Sequence, residues 1–95
     1  MAIAFEAIHD PQAVLDYSFD WADWLAGQDT IQASSWSVSG SDLTLVIDST
    51  DFTVLSATVW LSGGTVNRTY KVVNHITTAG GREDDRTLII KVKNR

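Results

Sequence analysis

Residues 69–94 read "TYKVVNHITTAGGREDDRTLIIKVKN". Two runs rich in β-branched residues flank "AGGRED" (79–84), a glycine-bearing connection. Alternation places Tyr70, Val72 and Ile76 on one face of the first run. It places Leu88, Ile90 and Val92 on one face of the second. This pattern predicts a β-hairpin with one buried face. His75 falls on the opposite phase and is expected as a solvated cross-strand side chain.

The same period of two recurs upstream. In "VLDYSFDW" (14–21), Leu15, Tyr17, Phe19 and Trp21 share one face, and Asp16, Ser18 and Asp20 the other, as in a half-buried strand. "ADWLAGQD" (22–29) breaks the alternation and contains Gly27, which predicts a turn or one short helical turn. In "TIQASSWSV" (30–38) the apolar phase slips from Ile31 and Ala33 to Trp36 and Val38, the mark of a β-bulge or bend. "LTLVI" (43–47) alternates through Leu43, Leu45 and Ile47. "TVLSATVWL" (53–61) puts Ala57, Val59 and Leu61 on one face and Trp60 on the other. "SGSD" (39–42), "DSTD" (48–51) and "SGGTVN" (62–67) read as turns between them.

Strands at this spacing predict an all-β fold: an immunoglobulin-like β-sandwich of about six to seven antiparallel strands, with Ala2–Ile8 as the additional candidate. Tyr70, opening the penultimate strand after a glycine-rich turn, fits a tyrosine corner. The Cys–Trp–Cys pattern of antibody domains is absent, so only the general architecture follows. Asp10-Pro11 divides an N-terminal arm, residues 1–11, from a single domain over residues 12–95.

A chain of 95 residues allows one domain with a modest core, burying roughly 60–65% of its unfolded surface. It has no cysteine, hence neither disulfides nor a thiolate metal site. Net charge is −5, and the first 60 residues hold no Lys or Arg. That balance argues against nucleic acid, which needs clustered cations, and against an anionic membrane face. The N-terminus has no basic segment before an apolar run, and no stretch approaches the ~20 apolar residues of a membrane helix. Synthesis in the cytoplasm is expected.

Catalytic chemistry finds no purchase here. There is no cysteine nucleophile, no G-x-S-x-G elbow, and His9 and His75 stand in unrelated contexts. For a cation, Asp16, Asp20 and Asp23, or Glu83, Asp84 and Asp85, supply carboxylates. Neither group matches an EF-hand loop, and Asp16 and Asp20 would lie about 13 Å apart on a straight strand. No metal and no cofactor are expected. Trp60 and Trp24 are candidate carbohydrate platforms, although tryptophans on a small sandwich serve cores and subunit contacts more often. Trp60, Val73 and Ile89 share the outward phase. If their strands neighbour one another they form an exposed apolar patch, which marks a protein–protein contact. Trp24 and Asp23 in the turn, with Arg82 and Glu83 at the hairpin tip, complete the candidate contact residues.

"DPQAVLDYSFDWADWL" (10–25), "DTI" (29–31), "SSW" (34–36) and "TVWLSGGT" (58–65) with the final hairpin resemble a family of small structural proteins of tailed bacteriophages, the phage fiber–tail adaptor proteins. The resemblance runs from about Asp10 to Arg95. It rests on Asp10-Pro11, Tyr17, Asp20-Trp21, Trp24-Leu25, Trp36, Trp60, Gly63-Gly64, Tyr70, Asn74 and Arg82. It implies an immunoglobulin-like sandwich, no catalytic activity, and a place in the virion at the head–tail or tail–fiber region. Connector, tail or fiber subunits are the implied partners, with multiple copies per virion. A capsid decoration protein, or a small carbohydrate-binding module on a tail, are the alternatives. Asn67 stands where the family often has glycine; Asn tolerates the left-handed backbone, so the turn is expected to be kept.

Overall fold

The structure is a computed structural model that describes residues 4–40 and 42–94. Residues 1–3 of the expected arm, Ser41 of the "SGSD" turn, and Arg95 lie outside the described residues. The elements are β1 (Ala4–His9), β2 (Val14–Asp20), α1 (Ala22–Leu25), β3 (Ile31–Gly40), β4 (Leu45–Phe52), β5 (Ser56–Gly63), β6 (Thr69–Thr78) and β7 (Glu83–Val92). They form two sheets, ordered β1-β7-β6-β3 and β2-β5-β4. With strands lettered in chain order, this is the B-E-D and C-F-G division of an immunoglobulin sandwich, with the first strand on the edge beside the last. The β1–β7 pair is parallel, in contrast to the wholly antiparallel expectation. The segment expected as an arm therefore holds a strand. Its Ala7 and His9 take the inward phase opposite Ile90 and Val92.

The predicted alternation supplies the core. Tyr70, Val72 and Ile76 of β6, Leu88, Ile90 and Val92 of β7, Ala57, Val59 and Leu61 of β5, and Phe19 of β2 are all buried. Each large apolar side chain so buried contributes about 1.5–3 kcal/mol. The phase slip in β3 is a register shift between Ile31 and Ala33, which lets both Ile31 and the later Trp36 and Val38 turn inward. Leu15 is 37% exposed although it lies on the inward phase, because β2 is the edge of its sheet.

Two expected boundaries move, each for a local hydrogen-bonding reason. "DSTD" is not a turn: β4 runs through it to Phe52, absorbing an extra residue as a register shift between Ile47 and Ser49. Ser62 Oγ donates to Asp48 Oδ1 at 3.0 Å there. The turn comes later, where Thr53 Oγ1 accepts the N–H groups of Leu55 and Ser56 at 3.2 and 3.1 Å. Leu43 is 84% exposed and precedes β4, because Asp42 folds back onto the N–H and hydroxyl of Thr44.

The tyrosine corner is present. Tyr70 accepts the Thr65 N–H on its hydroxyl at 2.9 Å and donates to Asp42 Oδ1 at 2.7 Å. The Thr44 and Tyr70 hydroxyls, with the Thr44 N–H and the Thr65 hydroxyl, hold the Asp42 carboxyl well below the usual carboxylate range. Gly63 closes this corner at φ 81°, where a Cβ would lie 2.3 Å from the Thr44 carbonyl oxygen. Asn67 adopts φ 68°, the left-handed conformation expected of it.

Buried polar links cross between the sheets. The buried indole N–H of Trp21, at the end of β2, donates to Asn74 Oδ1 on β6 at 3.0 Å. Asn74 in turn donates to Ser34 Oγ at 2.9 Å and the Ser35 carbonyl at 3.0 Å on β3. His9 Nδ1 and the Tyr17 hydroxyl meet at 2.8 Å between β1 and β2, and burial lowers the His9 pKa. Asn74→Ala strands the buried Trp21 donor and should cost about 1–3 kcal/mol. Urea unfolding should show a lower midpoint with an unchanged slope.

Candidate interaction surfaces

One end of the sandwich is built by three segments: residues 21–30, 53–55 and 79–82. Backbone bonds stitch them together. The Trp21 N–H donates to the Leu55 carbonyl at 2.8 Å, Ile31 to Val54 at 2.9 Å, and Ala79 to Thr30 at 3.0 Å. The single helical turn α1 starts where Asp20 Oδ1 accepts the Ala22 N–H at 2.9 Å. It ends at Ala26, whose φ of 57° no longer continues a helix. That turn buries Leu25, leaves Asp23 exposed, and half-buries Trp24, whose ring meets that of Trp21 edge-on at 5.4 Å.

Arg82 then covers Trp24, its guanidinium 4.4 Å from the ring centroid, and its Nε donates to Asp29 Oδ2 at 3.2 Å. Asp29 Oδ1 accepts the N–H groups of Gly80 and Thr30, both at 2.9 Å. A Cβ at Gly80 would approach Asp29 Oδ2 to 2.9 Å, so the hairpin tip reaches the carboxylate because it lacks a side chain. The Asp29 side chain is only 9% exposed. The Thr78 hydroxyl, the Gly80 and Thr30 amides and Arg82 bring its pKa down to about 2. An open cavity of about 750 Å³ lies here, lined by Leu25, Asp29, Thr30, Ala79, Gly80 and Arg82 among others. Phe52, Val54 and Leu55 are exposed beside it.

Sequence reasoning named Trp24, Asp23 and Arg82, and the structure brings Trp24 and Arg82 together. It missed Asp29 and the 52–55 apolar cluster. The available signal was Val54, whose apolar side chain beside Leu55 breaks the alternation of residues 57–61.

The structure separates Trp60 from Val73 and Ile89. Trp60 lies on β5, while Val73 and Ile89 lie on β6 and β7 of the other sheet, so the three do not form one patch. Trp60 is 40% exposed, opposite Asp16 of β2 and Ser49 of β4. Its sheet also carries Asp20, Asp48 and Asp51, and β2, β4 and β5 contain no Lys or Arg. Val73 and Ile89 are half-buried on the outer face of the second sheet. There Ile89 lies opposite Lys71 on one side and Glu6 on the other.

Glu83 sits beside the hairpin tip, where His75 Nε2 meets its Oε1 at 2.9 Å and His75 Nδ1 meets Asp85 Oδ1. His75 is a partly exposed cross-strand side chain, as its phase implied. Asp85 and then Glu83 raise its pKa. Among the described residues no group of three His, Cys, Asp or Glu is placed to hold a metal ion.

Comparison with protein-family models matches residues 9–91 to a family described as podophage GP4 fiber-tail adaptor protein gp77. The chain belongs to this family. Comparison with curated proteins finds no match. Membership makes the chain a phage structural protein of the fiber-tail adaptor kind, a virion component whose family is one of adaptors rather than enzymes. The match spans β2 to β6 and nearly all of β7, and with them every candidate contact residue. Positions that carried the resemblance meet in space: Trp21 with Asn74, Trp24 with Arg82, and Tyr70 with the corner that Gly63 and Gly64 close.

Two pH experiments follow. The Asp29 pKa is depressed, so its contribution is present above 3.8 and lost as pH falls toward about 2. Across that window Asp29→Asn should lose less stability than the wild type in acid-titrated thermal melts. The folded pKa of His75 is raised, so its contribution is full below 6.5 and fades as pH rises through the folded value. His75→Gln should therefore flatten the decline in melting temperature above pH 6.5.

Proposed function

We propose that the chain is a non-enzymatic adaptor that joins connector, tail or fiber subunits of a tailed phage. Its principal working surface is the end of the sandwich built by residues 21–30, 53–55 and 79–82. The observation that carries this reading is the Trp24–Arg82–Asp29 assembly with exposed Phe52, Val54 and Leu55 beside it. Aromatic and arginine side chains held rigid at low entropic cost, next to apolar groups still in water, are the composition of interface anchors. Asp23 on the same end, Glu83 beside the hairpin tip, and Trp60, Val73 and Ile89 on the two outer faces are assigned secondary contacts. Opposite faces suit a bridging subunit, which must hold two neighbours at once. Many copies, each bound weakly, give a firm joint in a particle.

A glycan-binding role has less support, because Arg82 already lies over the ring of Trp24. The test is phage particles carrying Trp24→Ala with Arg82→Ala, with circular dichroism confirming that the purified chain stays folded. The expected result is that the wild-type chain is found in particles in multiple copies and the variant particles lack fibers or tails. Complete, infectious particles with the variant would refute the assigned surface. Saturable quenching of tryptophan fluorescence by host polysaccharide would favour the glycan module instead.

A further inference from the structure

We propose that the outer face of the β1-β7-β6-β3 sheet is a contact for a second copy of this chain, stacked on it with its strands reversed. The inward phase of β6 and β7 fills the core, so the opposite phase faces out. The register sets that outward phase in rows. Glu83 stands at one end beside the hairpin tip, and His75 beside Asp85 makes the next row. Ser37, Val73 and Thr87 make the middle row. Lys71 beside Ile89 follows, and Lys91 closes the far end. Acid therefore gathers at one end of the face and Lys at the other, with about 27 Å from Glu83 to Lys91 at the rise of a strand. His75 meets both Glu83 and Asp85, and Lys91 holds Glu6 at 2.9 Å. Lys71 makes no ion pair among the described residues.

Two sheets stack face to face about 10 Å apart, which small side chains at the contact permit. Ser35, Ser37 and Ser39 are exposed on β3, and Val73, Thr87 and Ile89 are half-buried beside them. A two-fold axis between the sheets can run along the strands or across them. Along the strands, it sets Glu83 and Asp85 against the same acids of the second copy. Across the strands, through the middle row, it sets Glu83 against Lys91 of the second copy and brings Asp85 near its Lys71. Val73 and Thr87 then meet their own equivalents. Unlike charges across a contact fix its register and like charges oppose it, so the second arrangement is selected. In it the face is its own complement, which is why the occupant is a second copy. The other outer face cannot pair with itself this way, because β2, β4 and β5 carry acids and no Lys or Arg. The covered face measures about 19 by 27 Å, or about 500 Å² per copy. A standard interface covers about 800 Å² per copy, so the dimer is weak in solution. Reversed strands also send the two loop ends, each with its Trp24 and Arg82, to opposite ends of the dimer. That consequence rests on the adaptor reading, in which each loop end meets a neighbour; the pairing itself does not.

The test is sedimentation equilibrium of the full chain from about 10 µM to about 1 mM, with amide NMR over the same range. The wild type should follow a single monomer–dimer equilibrium, with concentration-dependent shifts centred on Val73 and Thr87. Lys91→Glu and Glu83→Lys each set like charges in both ends of the contact and should each weaken the dimer by about tenfold or more. An equimolar mixture of these two variants sets opposite charges at both ends and should restore the dimer to within about threefold of the wild type. Circular dichroism checks that each variant is folded. Should either fail to fold, Ser37→Arg, an exposed change on the middle row, should weaken the wild-type dimer to the same degree. A chain monomeric throughout, a mixture no tighter than its parts, or growth beyond two copies would overturn the proposal. So would shifts confined to the edge amides of β1 or β3 or to the β2-β5-β4 sheet. The titration uses the purified chain alone, so its failure leaves the loop-end reading standing. Complete particles with the loop-end variants would in turn leave the dimer standing.

Discussion

The hydrogen bond from Trp21 to Asn74 is the constraint on which the rest of this sandwich depends. The chain has no cysteine, so the covalent bridge that joins the second and sixth strands of antibody domains is not available to it. Trp21 follows the second strand and Asn74 lies on the sixth. A buried donor and acceptor tie the same two elements, and the Asn74 amide passes the link to Ser34 and Ser35. A bond of this kind adds little net energy when made and costs much when half broken, so it specifies register more than it adds stability.

Its consequences run toward the loop end. Trp21 fixed in the interior gives Trp24 a ring to pack against and Arg86 a face to lie over at 3.9 Å. Trp24 in turn carries Arg82, and Arg82 with Gly80 reaches Asp29. A surface assembled this way from a buried anchor is pre-ordered, which reduces the entropy lost when a partner binds. The strands β2, β4 and β5 carry acids and no Lys or Arg, whereas those of the other sheet carry Lys71, Arg86 and Lys91 together with Glu6, Glu83, Asp84 and Asp85.

Much of the fold was legible because alternation reports which way a strand residue points. It correctly buried Val72, Ile76, Leu88 and Ile90 and predicted a bulge in β3, although the shift falls between Ile31 and Ala33, and Ala33, read in phase with Ile31, is exposed. It left Trp60 outside and set Tyr70 at its corner. Alternation does not report which sheet a strand joins, and so Trp60 was grouped with Val73 and Ile89 although the sandwich puts them on opposite faces. Turn positions also escaped it. Asp48 and Thr53 are both good turn residues, and only the side-chain bond of Ser62 to Asp48 and the cap by Thr53 decide between them. Asp29 was invisible for a related reason: its partners Gly80 and Arg82 are some fifty residues away in sequence. Trp24 and Arg82 were each found, one from its turn and one from its hairpin tip, but their contact was not.

The central claim is that a loop end organised by Trp21 and Asn74 is where the adaptor meets its neighbour. A residue-resolved density map of the assembled particle tests it most directly. The account predicts protein atoms of another virion subunit packed over Trp24, Arg82 and the 52–55 cluster. A map in which that end faces solvent, with every neighbour seated elsewhere on the chain, would contradict it.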